Sequence, residues 1–170
     1  ATGTVNFNHT STNYEFAAGI QGTGPGTVNF LSGTTILTGN NTYAGTTNIS
    51  AGATAQFGNR GTNGGSNGLI SGDVTNNGAM IVNLAALSTT YGGVISGSGT
   101  FEQAGTGTLS LTGTNTFSGL TKVSSGTLQL GNNTTTGSVA GNIENNSHLS
   151  FYRSNSFTFS NLISGTGDVD

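Results

Sequence analysis

The chain has 170 residues, 30 of them glycine, with 5% charged and 32% hydrophobic residues and a net charge of −3. The three basic residues, Arg60, Lys122 and Arg153, are too few and too scattered to neutralise a row of phosphates, which argues against nucleic acid and anionic lipid as partners. No apolar run approaches the roughly 20 residues that span a bilayer, and the absence of cysteine excludes disulfides and thiolate metal sites. Low net charge and regularly recurring apolar pairs also argue against disorder.

The chain opens without the basic start and apolar core of a signal peptide. Residues 3–24 then show a pattern that returns at 78–99 and 147–167. In each copy an apolar pair comes first, a polar stretch follows, an aromatic (Phe16, Tyr91, Phe159) returns, and Ile20, Ile95 or Ile163 leads into a glycine-rich step. Pro25 is the only proline and stands between Gly24 and Gly26, which suits a turn. Residues 33–52 match 107–126 without a gap, with eleven of twenty positions identical, and 70–77 match 139–146. The unit is therefore about 70 residues long, giving copies at about 1–77, 78–146 and 147–170 within a single domain. The phase of the first and last copies reads as a slice of a longer array.

Within the unit, apolar residues alternate with polar ones, as at Val28 and Phe30, Leu109 and Leu111, Leu128 and Leu130, Leu149 and Phe151, and Phe157 and Phe159. This is strand periodicity, and frequent Gly and Thr oppose helix. A flat sheet of such strands exposes long edges and buries one face, whereas winding them into a solenoid stacks like on like. The expectation is an all-β parallel β-helix with about three coils per unit and about seven in the chain. Asn76 with Asn77, and Asn145 with Asn146, are the expected corners, because Asn tolerates left-handed backbone and its amide can stack on the next coil's.

Candidate chemistry is sparse. The six acids, Glu15, Asp73, Glu102, Glu144, Asp168 and Asp170, are spread along the chain, and only Asp168 and Asp170 share a strand face as a glycosidase pair requires. Residues 64–68 satisfy G-x-S-x-G but lack a strand-to-helix elbow, and composition alone makes such a match unsurprising. His9 and His148 occupy different positions of the repeat and suggest no ligand set, and the Asn-x-Ser/Thr triplets at Asn8, Asn48 and Asn145 are compositional. No catalytic, cofactor or metal residue is assigned, and a non-enzymatic protein is expected. Exposed Thr, Asn and Ser rows suit adhesion through many small polar contacts.

The segments GTGTLSLTGTNTFSGLTKVSSGTLQLGN (105–132) and NNSHLSFYRSNSFTFSNLISGTG (145–167) resemble the autotransporter-associated passenger repeat of type V secreted proteins of Gram-negative bacteria. The first copy departs from the pattern at Ile36 and where Ala53 and Ala55 replace a larger apolar pair. The resemblance implies a right-handed parallel β-helix and display at, or release from, the cell surface. The expected role is a structural and adhesive passenger segment, with self-association (end to end or lateral) or a host or glycan surface as its partners. The alternative is the scaffold of a secreted enzyme whose catalytic part lies elsewhere.

Overall fold

The computed structural model describes residues 3–60, 68–85 and 88–170. Short strands cut by glycine and asparagine wind into a solenoid with three parallel sheets as its faces. The first sheet stacks β1 (Thr4–Asn8), β3 (Thr27–Ser32), β5 (Thr46–Ile49), β7 (Val74–Asn76) and β10 (Ile95–Ser96). The second stacks β2 (Tyr14–Phe16), β4 (Thr34–Leu37), β6 (Thr54–Phe57), β8 (Ala79–Val82), β11 (Thr100–Gln103), β13 (Thr121–Val123), β15 (Ile143–Asn145) and β17 (Ile163–Ser164). The third stacks β9 (Ser88–Tyr91), β12 (Thr108–Leu111), β14 (Thr127–Thr134), β16 (His148–Arg153) and β18 (Asp168–Val169). From β7 to β12 the chain visits first, second and third sheet twice in succession, and every pairing is parallel.

Where a face has no strand, hydrogen bonding along the axis continues. Thr42 N–H donates to Ile20 O in the early turns, and Thr116 N–H to Ile95 O in the later ones. The second sheet is crossed eight times, which makes about seven turns, and the steps from Tyr14 to Ile163 average about 21 residues per turn. The step from Thr47 to its partner Val74 is longer, and the extra residues fall between β6 and β7.

Register converts strand alternation into internal ladders. On the third sheet Thr89, Leu109, Leu128, Leu149 and Val169 align, as do Tyr91, Leu111, Leu130 and Phe151. On the second sheet Ala55, Met80, Phe101, Thr121 and Ile143 align. Leu37, Phe57, Ile95, Leu128, Leu130, Ile143 and Leu149 are no more than 1% exposed. A fully buried Leu or Phe contributes about 1.5 to 3 kcal/mol, so each added turn extends one continuous core.

The expected alternation at Phe157 and Phe159 is not a strand. Phe157 is 39% exposed, and residues 154–162 cross the first face between β16 and β17 without forming a strand.

Glycines line two corners. Gly26, Gly45, Gly72, Gly93 and Gly113 follow one another up the corner between third and first sheets, each facing the carbonyl of the glycine one turn below, and a Cβ added at Gly45 would overlap Gly26 O. At the corner from first to second sheet, Gly99, Gly119 and Gly141 repeat the arrangement above Gly78. Pro25 occupies a tight turn closed by Gly26 N–H donating to Gly24 O at 2.8 Å.

The expected corner asparagines are corners, but by another mechanism. Neither pair has positive φ; among the described non-glycine residues Arg60 and Asn133 do. Asn76 and Asn145 are instead buried, and each amide reaches a carbonyl of the next turn. Asn76 Nδ2 donates to Thr100 O at 2.8 Å and Asn145 Nδ2 to Asp168 O at 2.7 Å, while their Oδ1 atoms accept the N–H of Gly78 and Ser147.

The sequence unit and the solenoid turn are not commensurate. Strand β1 lies on the first sheet, while its sequence equivalents β8 and β16 lie on the second and third. Likewise β4 is on the second sheet and its equivalent β12 on the third, and Asn76 ends a first-sheet strand whereas Asn145 ends a second-sheet one. The unit therefore makes three turns and one further face, as about 70 residues at about 21 per turn requires.

Candidate functional site

The acids do not converge. Glu15 accepts from Thr38 Oγ1 at 3.0 Å, Asp73 from Val94 N–H at 2.8 Å, Glu102 from Ser124 Oγ at 2.6 Å and Glu144 from Asn146 Nδ2 at 2.8 Å. Each tethers a neighbouring loop or strand. Asp168 pairs in register with His148 of the turn below, and Asp170 Oδ2 lies 2.9 Å from His148 Nε2, the imidazole being partly exposed and the carboxylate exposed. The Asp170 carboxylate meets an imidazole, and Asp168 stands two residues before it on the same stretch of chain, so the two do not face each other across a groove. His9 Nε2 lies 2.9 Å from Thr35 Oγ1 beside the Tyr14 ring. Among the described residues no three His, Cys, Asp or Glu side chains gather as a metal site, and no helix is long and apolar enough to cross a membrane. Of the G-x-S-x-G stretch, residues 64–67 lie outside the described residues; Gly68 packs under Leu37 O with φ +59°.

Among the described residues, a cavity lies near each end of the stack. One, of about 470 Å³, is lined by glycine-rich backbone with Val5, Ile20, Val28 and Tyr43. Its one titratable group, the Tyr43 phenol, is pushed up to about 12 by burial, partly offset by its hydrogen bond of 2.6 Å with Thr47 Oγ1. Tyr91, donating to Gly72 O, is raised further by burial and by the neighbouring Asp73 carboxylate and Tyr43 phenol. These phenols stay neutral and hold the corner between the third and first sheets.

The other cavity, of about 320 Å³, is lined by Phe151, Arg153, Asn155, Phe157 and Phe159. Its guanidinium is spent on structure: it lies 4.3 Å from the Phe157 ring centre and donates to Gly137 O, Thr135 O and Asn155 Oδ1. Neither cavity presents a nucleophile beside a base.

The ordered polar groups lie instead on the outer faces. On the first sheet Asn6, Asn29 and Asn48 stand in register, and their amides form a chain: Asn48 Nδ2 donates to Asn29 Oδ1 and Asn29 Nδ2 to Asn6 Oδ1, both at 2.8 Å. Thr4, Thr27 and Thr46 run parallel to it one pleat away. On the second sheet the corresponding outer row includes Ile81, Glu102, Lys122 and Glu144. On the third it is Thr90, Ser110, Gln129 and Ser150, with Gln129 Nε2 donating to Ser110 Oγ at 2.9 Å.

Composition pointed to exposed polar rows without singling out the amide row of the first sheet. Its signal was present in the tripeptides at 4–6, 27–29 and 46–48, each opening on Thr and closing on Asn. Also missed were Asn41 and Asn115, equivalent in the repeat. Asn115 Oδ1 accepts Ile95 N–H at 2.9 Å, and its Nδ2 donates to Gly113 O and Ser138 O, tying three turns together. Asn41 does the same through Ile20 N–H, Gly39 O and Gly68 O.

Comparison with known proteins places this architecture. Residues 32–54 and 101–130 match the family described as passenger-associated-transport-repeat. The chain is 35% identical, over 158 residues covering 81% of its length, to the adhesin BmaC autotransporter of Brucella suis biovar 1 (strain 1330). It spans 4% of that much longer protein. No solved structure matches it. The matched segments run through β4 and β5 and through β11, β12 and β13 of the solenoid, and the chain is a stretch of autotransporter passenger repeat.

Proposed function

We propose that this segment serves as a stiff, adhesive part of a passenger displayed at the bacterial surface or secreted, and not as an enzyme. The observation that carries the reading is an in-register stack whose polar side chains form outward rows while its carboxylates sit apart. Similarity to a protein named as an adhesin supports it. Parallel strands hydrogen-bonded along the axis resist bending, which suits a spacer, and a net charge of −3 on 170 residues offers little repulsion between copies. The partners of this reading are a host or glycan surface, or a further copy.

Beads coated with the chain test it. Adhesion to epithelial cells, or bead-to-bead clustering, above that of beads coated with an unrelated solenoid is the expected result. Equal adhesion by both refutes the adhesive role. Turnover of a polysaccharide by the purified chain, abolished by Asp168→Asn or Asp170→Asn, would overturn the non-enzymatic reading.

A further inference from the structure

We propose that the outer face of β1, β3 and β5 docks an uncharged, extended polysaccharide lying along the solenoid axis. The proposal rests on the adhesive reading above and assigns it to one face. Thr4 and Asn6, Thr27 and Asn29, and Thr46 and Asn48 form a grid with rows about 4.8 Å apart along the axis and about 6.6 Å between the two columns. An extended, equatorially linked pyranose chain advances by a closely similar distance per sugar, so each turn meets one residue of the chain.

The chemistry of the grid selects the ligand. Each carboxamide has two N–H donors and an oxygen with two lone pairs. The bonds within the row use one donor or one acceptor site on the end residues and one of each on Asn29, so every amide keeps at least one N–H and one lone pair for a partner. Hydroxyls in the threonine column supply both roles as well, matching the mixed donor and acceptor character of sugar hydroxyls. The amide chain holds the carboxamides in place before a ligand arrives, which lowers the ordering cost of binding.

No charged residue stands in the grid. The nearest along the threonine column is Asp73, one turn further on, with its Oδ1 engaged by Val94 N–H. A polyanion finds no counter-charge there, and the net charge of −3 opposes it. The second face provides an internal contrast, since its equivalent strands carry Ile81, Glu102 and Lys122 in the same outward position. The face advance of the repeat thus confines the uncharged amide grid to one side of this segment.

The test uses the 170-residue chain immobilised for surface plasmon resonance. Cellohexaose, mannohexaose and chitohexaose serve as neutral probes, and heparin and hyaluronan as anionic ones. A triple variant, Asn6→Thr, Asn29→Thr and Asn48→Thr, removes the amides while keeping a side chain that the same row accepts at Thr75. The double variant Glu102→Gln, Lys122→Gln alters the second face. At least one neutral hexasaccharide is expected to bind, with affinity ten-fold or more lower in the triple variant and unchanged in the double variant.

If the triple variant fails to fold by circular dichroism, Asn29→Thr alone is read, with a three-fold or greater loss expected. Binding of no neutral probe, equal binding by native and amide-free chains, or binding of polyanions only would overturn the proposal. Bead adhesion fully retained by the triple variant likewise overturns this face while leaving the adhesive reading intact. Neutral sugar held by a chain whose beads do not adhere overturns the adhesive reading alone.

Discussion

Replacing Asn115 by Leu removes one buried carboxamide that serves three turns. The side chain is 2% exposed, and its amide satisfies Ile95 N–H of the turn below, Gly113 O of its own turn and Ser138 O of the turn above. Leucine is similar in size, so packing is nearly conserved and the loss is polar. An orphaned buried donor costs about 1 to 3 kcal/mol. The two carbonyls add less, because each has a second lone pair, and the expected total is about 3 kcal/mol.

A solenoid need not unfold in one step, so hydrogen exchange is the better assay. The Ile95 amide should exchange on the order of 100-fold faster, as about 3 kcal/mol of lost local stability implies. Exposed Asn146→Ala, whose amide reaches only the Glu144 carboxylate, should change stability by about 0.5 kcal/mol or less. Unchanged exchange at Ile95 together with a stability loss below about 0.5 kcal/mol in Asn115→Leu would refute the claim that buried amides staple the turns.

Gly45→Ala should destabilise far more than Gly52→Ala. The first sets a Cβ into the Gly26 carbonyl, while the second meets open space and pays only for its φ of +83°, about 1 kcal/mol; comparable melting temperatures for the two would contradict the glycine corner. Leu128→Ala, at 0% exposure between Leu109 and Leu149, should lose about 2 to 5 kcal/mol in urea unfolding, and a loss under about 1 kcal/mol would mean that the ladder is loosely packed. Because the folded-state pKa of Tyr43 lies above its unfolded value of 10.0, its contribution is fully present below pH 10 and is lost as pH rises through about 12. That limb amounts to about 3 kcal/mol, and Tyr43→Phe should remove it from the alkaline stability profile; an unaltered profile would show that another group carries it.

Much of the architecture was legible in the residues themselves. Alternation at Val28 and Phe30 or Leu128 and Leu130 has period two, which any strand must obey, and the in-phase copies favoured stacking over a sandwich. These signals are local or strictly periodic, so they needed no coordinates. The outward amide row was also written in the Thr-x-Asn tripeptides. Its meaning depended on register, because residues 23 and 19 positions apart become neighbours only when the turns close at those lengths.

Tertiary structure alone revealed the face on which each copy falls. Turn length is set by where backbone carbonyls meet glycines at the corners and where parallel strands find register, not by the length of the sequence unit. A unit of about 70 residues wound at about 21 per turn overshoots by one face, so β1, β8 and β16, alike in sequence, look out in three directions. The same closure drew Asn76 and Asn115 inward, where an amide seals open backbone groups instead of turning the chain through a left-handed bend. Composition and repeat define a β-solenoid; the side of it that each chemical row faces follows from the mismatch between two periods.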